Sequence, residues 1–405
     1  QRQMCIRDRS KTNDLNNFTV GVNANDSMRL TINSNTIDEI QWLCPSSSLV
    51  IGTSANEWSL GSGSDQLAIT PTQLSIKRKS NYGSSKLQGE LVNASVLFFM
   101  RQKTKLREWI EQNTANVFLA ADLASYADQA TKGGILQMAV QTQPETIIWM
   151  VRTDGQLIGL TYEKETKTFG WHRHTFLGAT VESVSVLPTS TSEDCVYIIL
   201  KKTDNERCYV KMDNRNWGSS YTTEYFGLDN YTTATKSFTD GAASFGTEND
   251  LAQFAGDEVK VKVNGVLQTG TYAVSSTGTL SLTSIKDASG ANVNGSHTVV
   301  IGQAYTSTLA PLYSGIEFRG DTTRGSRISL STALVRFKDT LSAKVGQTET
   351  NLNNVKFKNN TELNSEDAPC YLSNANEYLQ TLYVVQEEPQ PCTVLGMILD
   401  IEGGK

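Results

Sequence analysis

The sequence predicts an all-β protein, a partial β-propeller carrying a small inserted β-domain. Three observations lead there. Of 405 residues, 38% are hydrophobic and only 19% charged, with Gly, Ser, Thr, Asn and Gln making up much of the remainder, a mixture suited to many short strands and turns. From Phe18 to Met212 short apolar runs alternate with polar turns, the pattern of an antiparallel meander. Four hairpins recur along that stretch, Leu49 to Leu60, Val96 to Ile110, Ile147 to Tyr162 and Val196 to Met212. Their first strands end at Thr53, Arg101, Arg152 and Lys201, spaced by 48, 51 and 49 residues. A period of roughly 40 to 50 residues with four strands per unit is that of propeller blades, which bury their faces by stacking on neighbours. A β-sandwich is the alternative.

Residues 1–9 (QRQMCIRDR) are basic and polar, lack the apolar core of a signal peptide and differ in character from the rest of the chain. Met4 to Asp8 reads as translated transposon adapter, so the segment is expected to be foreign, with authentic sequence missing upstream of about Ser10 and an unpaired blade edge as the consequence.

Residues 10–225 are assigned to the blades. The third unit is the clearest, with strands over Ile135 to Gln141, Thr146 to Arg152, Gln156 to Tyr162 and Thr168 to His174, the middle pair turning at Asp154-Gly155. One helix is expected between blades, Asp122 to Ala130, with Asp122 as its cap and Gly133-Gly134 beyond its end. Residues 226–312 shift toward Thr, Ser, Gly and Asn and form the inserted β-domain. Its strands are expected at Glu258 to Val263, Gly270 to Val274, Thr279 to Leu282 and Thr298 to Ile301, with turns at Asn264-Gly265 and Asn294-Gly295. Residues 313–405, with strong strands at Arg327 to Lys338, Tyr378 to Gln386 and Thr393 to Glu402, are expected to return to the propeller.

A net charge of −6 argues against a surface built to neutralise phosphates. No apolar run approaches the ~18 residues of a membrane span. Cys5, Cys44, Cys195, Cys208, Cys370 and Cys392 include no CxxC pair and read as free thiols of a reducing cytoplasm.

No catalytic, cofactor-binding or metal-binding residue is assigned, and no enzymatic activity is expected. His172 and His174 of Trp171-His172-Arg173-His174 share one face of a strand, but two imidazoles without a carboxylate partner do not complete a metal set. Gly61-Ser62-Gly63-Ser64-Asp65 lacks the Lys and following helix of a phosphate loop. The acidic pairs Asp122/Asp128 and Asp204/Glu206 serve a glycosidase only if the fold brings carboxylates to ~5–9 Å. Trp42, Trp58, Trp109, Trp149 and Trp171 suit packing between blades better than a carbohydrate platform, and Lys77-Arg78-Lys79 and Arg101 to Arg107 read as solvated basic turns.

Strung together, the motifs resemble a family. Trp42-Leu43, Leu49 to Thr53, Glu57-Trp58, Ile69 to Thr72, Ser80 to Ser84, Val96 to Phe99, Arg107-Glu108, Ala121 to Ala124, Gln143-Pro144, Ile148-Trp149, Arg152 to Gly155, Trp171 to His174 and Val181 to Val184 are similar, in order, to the tail nozzle (tail tubular or stabilisation) proteins of short-tailed and crAss-like bacteriophages. Ile301 to Leu309 and Arg324 to Ile328 continue the resemblance downstream, while residues 226–300 match only in character. The resemblance implies a structural virion protein of the tail, assembled in the host bacterial cytoplasm. It implies a self-associated ring, usually a hexamer, that contacts the tail adaptor and the fibres or spikes and passes double-stranded DNA without specific binding. A glycan- or receptor-directed propeller, or a depolymerase, is the alternative.

Overall fold

The computed structural model describes residues 5–32, 38–61, 69–111, 118–125, 127–189, 193–203, 205–214, 227–246, 251–311, 317–318, 321–322, 328–359, 361–372, 376–377 and 381–403. The fold is all-β and antiparallel, and the chain divides into two compact units, Gln1–Asn214 and Arg215–Lys405. Among the described residues no helix is long and apolar enough to cross a membrane.

The first unit opens with a two-stranded ribbon, β1 (Cys5–Arg9) against β2 (Met28–Ile32). Residues 5–9 of the segment expected to be foreign are thus strand-paired. A meander sheet comes next, β3 (Ile40–Pro45), β4 (Leu49–Thr53), β5 (Glu57–Gly61) and β6 (Ser75–Ser80). The second sheet is β7 (Glu90–Val92), β8 (Ser95–Phe99), β9 (Leu106–Glu111) and β10 (Phe118–Asp122). The third is β11 (Ile135–Gln141), β12 (Ile147–Arg152), β13 (Leu157–Glu163) and β14 (Thr168–His174). The last is β15 (Ala179–Leu187), β16 (Cys195–Lys202) and β17 (Arg207–Lys211). All four expected hairpins are present, within a residue or two of their expected bounds. Each is the central strand pair of its sheet or, in the last, its closing pair.

Alternation of side chains across each strand gives every sheet two faces, and the apolar clusters show how both are used. Strands β3 and β4 send Trp42, Cys44 and Val50 against Val96, Phe98, Trp109 and Ala120 of the second sheet. The opposite face of that sheet, Leu97, Phe99 and Leu106, meets Ile148, Met150, Ile158, Leu160 and Tyr162 of the third. The third in turn offers Ile147, Trp149, Val151 and Leu157 to Val181, Val184, Val196, Ile198 and Leu200 of the fourth. Strands used on both faces must be largely apolar, as β8 and β12 are, each wholly buried with one polar residue, Ser95 and Arg152, at its end. This is blade-on-blade stacking.

Close approach is required where Gly52 of β4 faces Trp42 of β3, its partner in the register. A Cβ there would fall within the indole, which is 3% exposed and packed on Phe98 at 5.6 Å. Gly52→Ala is therefore expected to destabilise the first unit by about 1–3 kcal/mol, read as a lowered midpoint in urea unfolding with the m-value unchanged.

The expected helix over Asp122 to Ala130 is corrected. Asp122 does cap, accepting the Ala124 N–H at 3.1 Å, but the bonds beyond it are of i to i+3 span, Ala127 to Ala124 at 2.9 Å and Ala130 to Ala127 at 2.8 Å, in successive turns. Ala124, Ala127 and Ala130 are all buried. Three-residue spacing sets them on one side in a tight turn geometry. The carbonyls of Gln129 and Ala130 accept from Arg152 at 3.1 and 3.3 Å rather than from a further turn.

In the second unit, strands Asp229–Phe238, Gly295–Gln303 and Glu258–Val263 lie side by side and enclose a core that includes Phe245, Leu251, Phe254, Val261 and Ile301. Asn264 and Gly265 take positive φ of 48° and 79°, the two-residue hairpin turn their sequence demands. A second core, including Leu330, Val335, Phe337, Val345 and Val384, gathers under the long pair Ile328–Lys338 and Thr393–Gly403. Residues 226–312 and 313–405 thus belong to one compact unit with two cores.

Candidate functional site

The chemistry-bearing side chains of the first unit collect where one sheet meets the next. At the first junction, Glu57 at the start of β5 is fully buried and accepts from Ser80 Oγ at 2.5 Å, Tyr82 N at 3.2 Å and Ser84 Oγ at 3.0 Å. Burial pushes its carboxyl up, against the opposing pull of those donors. Beside it Asp38 accepts from Ala55 N at 3.0 Å, Asn56 Nδ2 at 2.7 Å and Trp58 Nε1 at 3.4 Å.

At the second junction Glu108 of β9 accepts from Ser95 Oγ at 3.0 Å, Tyr162 OH at 2.7 Å and Lys164 Nζ at 2.9 Å through one carboxylate oxygen, Oε1. Burial raises the Glu108 carboxyl, and the Tyr162, Lys164 and Ser95 donors outweigh it, holding the group below the usual carboxylate range. Burial pushes the Tyr162 hydroxyl up, and the Glu108 charge adds to that. Tyr162 is fully buried. The pair therefore ties sheets together, since no solute reaches the phenol oxygen. Arg152 grips Asp154 through Nε at 2.8 Å and Nη2 at 2.5 Å, and this bond raises the guanidinium and lowers the carboxyl.

At the third junction Asp194 accepts Thr142 N, Thr142 Oγ1 and Gln143 N at 2.8, 2.8 and 3.1 Å, and Gln137 bonds Val184 O, Val184 N and Ser183 Oγ. Sequence reasoning singles out neither Glu57, Glu108 nor Asp194 as a junction anchor. A lone acid inside an apolar strand is the available signal, because an unpaired charge is rarely buried.

His172 and His174 lie on one face of β14, the outermost strand of its sheet, as their spacing predicts. Their ring nitrogens approach to 2.7 Å, and both rings lean on Trp149, at 5.5 and 5.3 Å. Burial holds the His174 imidazole below its ordinary value. A group whose folded pKa is depressed loses its contribution as pH falls, because the unfolded chain takes up the proton first. Unfolding of the first unit is thus expected to become easier as pH drops below about 6.5, the ordinary histidine value. His174→Gln should flatten that part of the pH profile, measured by thermal unfolding.

Trp42, Trp58, Trp109 and Trp149 are buried, and Trp171 donates to Leu123 O at 3.1 Å. None of the five forms an open platform. Within the basic stretch Arg107 lies 4.2 Å from the centre of the Tyr82 ring and donates to Ala120 O, while Lys105 pairs with Asp122 at 2.8 Å. Residues 62–68 and Asp204 lie outside the described residues. Cys44, Cys195, Cys208, Cys370 and Cys392 are free, and burial pushes Cys44, Cys370 and Cys392 up to about 11. Among the described residues no group of three or more His, Cys, Asp or Glu is arranged to hold a metal ion.

No family model matches the chain, and no curated protein matches its sequence. Solved structures similar to it include an exo-beta-1,3-galactanase from Phanerochaete chrysosporium with galactose, at 10% identity over 93% of this chain and 87% of that one, with a TM-score of 0.24. A form of the same enzyme with beta-1,3-galactotriose matches at 8% identity over the same shares, with a TM-score of 0.27. A conserved protein of unknown function from Pseudomonas aeruginosa matches at 10% identity over 54% of this chain and 95% of that one, with a TM-score of 0.11. The expectation that the chain is not an enzyme is corrected, two of these neighbours being exo-beta-1,3-galactanases by name, and at these TM-scores they assign no activity to this chain. No residue role passes from them to this chain, whose fold is all-β, with blade-type sheets stacked in the first unit.

Proposed function

We propose that the chain is a structural subunit of a short-tailed bacteriophage tail, a nozzle protein that self-associates into a homo-hexameric ring and lines the conduit for DNA ejection. The observation that carries this reading is that the motifs on which the resemblance rests touch one another. Glu57 of Glu57-Trp58 gathers Ser80, Tyr82 and Ser84 of Ser80 to Ser84. Arg107 of Arg107-Glu108 lies on Tyr82, and Trp171 bonds Leu123 of Ala121 to Ala124. Residues that the resemblance picks out in order along the chain and that meet in pairs are the ones a stacked scaffold needs. The acidic balance of −6 supports passage of duplex DNA without gripping it. Head-to-tail contacts between subunits would close the ring, with the tail adaptor and the fibres or spikes as further partners.

The test is single-particle imaging of the chain, with duplex binding followed at several salt concentrations. Six-fold particles and no tight duplex binding are expected. Monomers at all concentrations, or salt-sensitive duplex binding, would overturn the proposal. Hydrolysis of beta-1,3-galactan by the same preparation would favour the glycan-directed alternative.

A further inference from the structure

Residues two apart on a strand share a face, and β14 is the outermost strand of the third sheet, so His172 and His174 stand side by side there, each half-buried. The neighbouring strand makes room for them. Gly159 of β13 is the register partner of His172, and a Cβ there would fall 2.0 Å from Cε1 of the imidazole. Trp149, which pairs with Gly159 from the other side, carries both rings, its centre 5.5 Å from His172 and 5.3 Å from His174. The indole is fixed in turn, since its N–H donates to Gln141 Oε1 at 2.9 Å.

Held this way, the two imidazoles meet at 82°, and His172 Nδ1 faces His174 Nε2 at 2.7 Å. Two ring nitrogens at that distance need a proton or a metal ion between them, because bare lone pairs repel. Thr161 Oγ1 lies 3.4 Å from His172 Nε2 and can accept the proton of that nitrogen, which leaves Nδ1 with its lone pair turned to His174. His174 Nε2 then donates across the gap. The separation also discriminates between metals. With metal–nitrogen bonds of about 2.05 Å, two ligands of a tetrahedral ion stand about 3.3 Å apart, and two adjacent ligands of a square-planar or tetragonal ion about 2.9 Å. The 2.7 Å here lies nearer the second value, the geometry of Cu(II) and Ni(II) rather than Zn(II). Among the described residues no third His, Cys, Asp or Glu joins the pair. A tetrahedral zinc set needs more ligands than that, whereas a tetragonal ion held along one edge keeps water in its other positions.

We infer that His172 and His174 form a bidentate site for a Cu(II) ion, bound through His172 Nδ1 and His174 Nε2 with water completing its coordination. Among the divalent ions that accept this geometry, Cu(II) has the highest affinity for nitrogen ligands. The ion takes the place of the proton between the two nitrogens, which returns by way of solvent to His174 Nδ1, so both rings remain neutral. Gly159, Trp149 and Thr161 set the direction of the ligands before the metal arrives. The site stands apart from the tail role, since it needs one sheet of the first unit and no assembly.

The test is calorimetric titration of the full chain with CuCl2, NiCl2 and ZnCl2 in a non-chelating buffer, joined to electron paramagnetic resonance of the copper-loaded protein. Saturable binding is expected, tighter for Cu(II) than for Ni(II) or Zn(II), with spin-echo modulation from two equatorial imidazoles. His172→Gln and His174→Gln are each expected to weaken Cu(II) at least about tenfold, since losing even a group outside the ligand shell costs that much. His297→Gln, in the second unit, is expected to leave the affinity unchanged. Thermal midpoints of the metal-free variants are followed in parallel, and the wild-type spectrum counts imidazoles without any substitution. No saturable uptake of Cu(II), a spectrum with one imidazole or none, Zn(II) bound as tightly as Cu(II), or undiminished affinity in either β14 variant would overturn the inference.

Discussion

Glu108→Ala is expected to cost the first unit about 1–3 kcal/mol, the range for depriving a buried polar group of its hydrogen-bond partner. The carboxylate is the common acceptor for Ser95, Tyr162 and Lys164, so its loss takes from the fully buried phenol hydroxyl its 2.7 Å acceptor. The second and third sheets lose their polar tie while the apolar contacts between Phe99, Leu106, Met150 and Leu160 remain. Lys164 is partly exposed, at 39% of its side chain, and turns to water at modest cost, so Lys164→Met should be much milder than Glu108→Ala. Chemical denaturation of the two variants checks this order. Equal effects would show that the ion pair, rather than the orphaned Tyr162 hydroxyl, carries the energy. Because Glu108 titrates below its ordinary value in the fold, its contribution is present at neutral pH and is lost as pH falls through the acidic range.

Lys262→Met is expected to remove the pH dependence that wild-type stability of the second unit shows between about pH 8 and 10.5. Lys262 sits in the central strand Glu258–Val263, is 4% exposed, and burial pushes its ammonium down to about 8. Its folded pKa lies below the unfolded value, so the fold binds the proton less tightly than the open chain. The penalty is complete below pH 8 and relaxes as pH rises toward 10.5, the ordinary lysine value. Methionine keeps the stem that packs beside Val300 and Leu267 and removes the charge. Unfolding measured from pH 7 to 10 should show wild type gaining on the variant across that window. A constant difference would mean that the ammonium finds full compensation in the fold.

The hairpins are legible because their signals are local. Leu157–Glu163 and Thr168–His174 follow from alternation, and the Asp154-Gly155 turn follows from backbone chemistry, with Gly155 at a φ of 81°. Asn264-Gly265 is read the same way. The stretch over Asp122 to Ala130 reads as a helix because its capping residue is genuine and only the continuation differs. The carbonyls at its end, of Gln129 and Ala130, are taken by Arg152, more than twenty positions away. The meeting of His172 and His174 is half legible, because their shared face follows from spacing while the room above Gly159 depends on which strand stands opposite.

Strand limits, the turns that join them and the recurrence of the units are written in the chain itself, since side-chain alternation and turn geometry act over a few residues. The work of the acidic residues is settled only by packing. Glu108 meets Tyr162 across 54 positions and Asp194 meets Thr142 across 52, and a carboxylate's protonation and purpose are set by whichever donors stacking brings to it once water has been excluded.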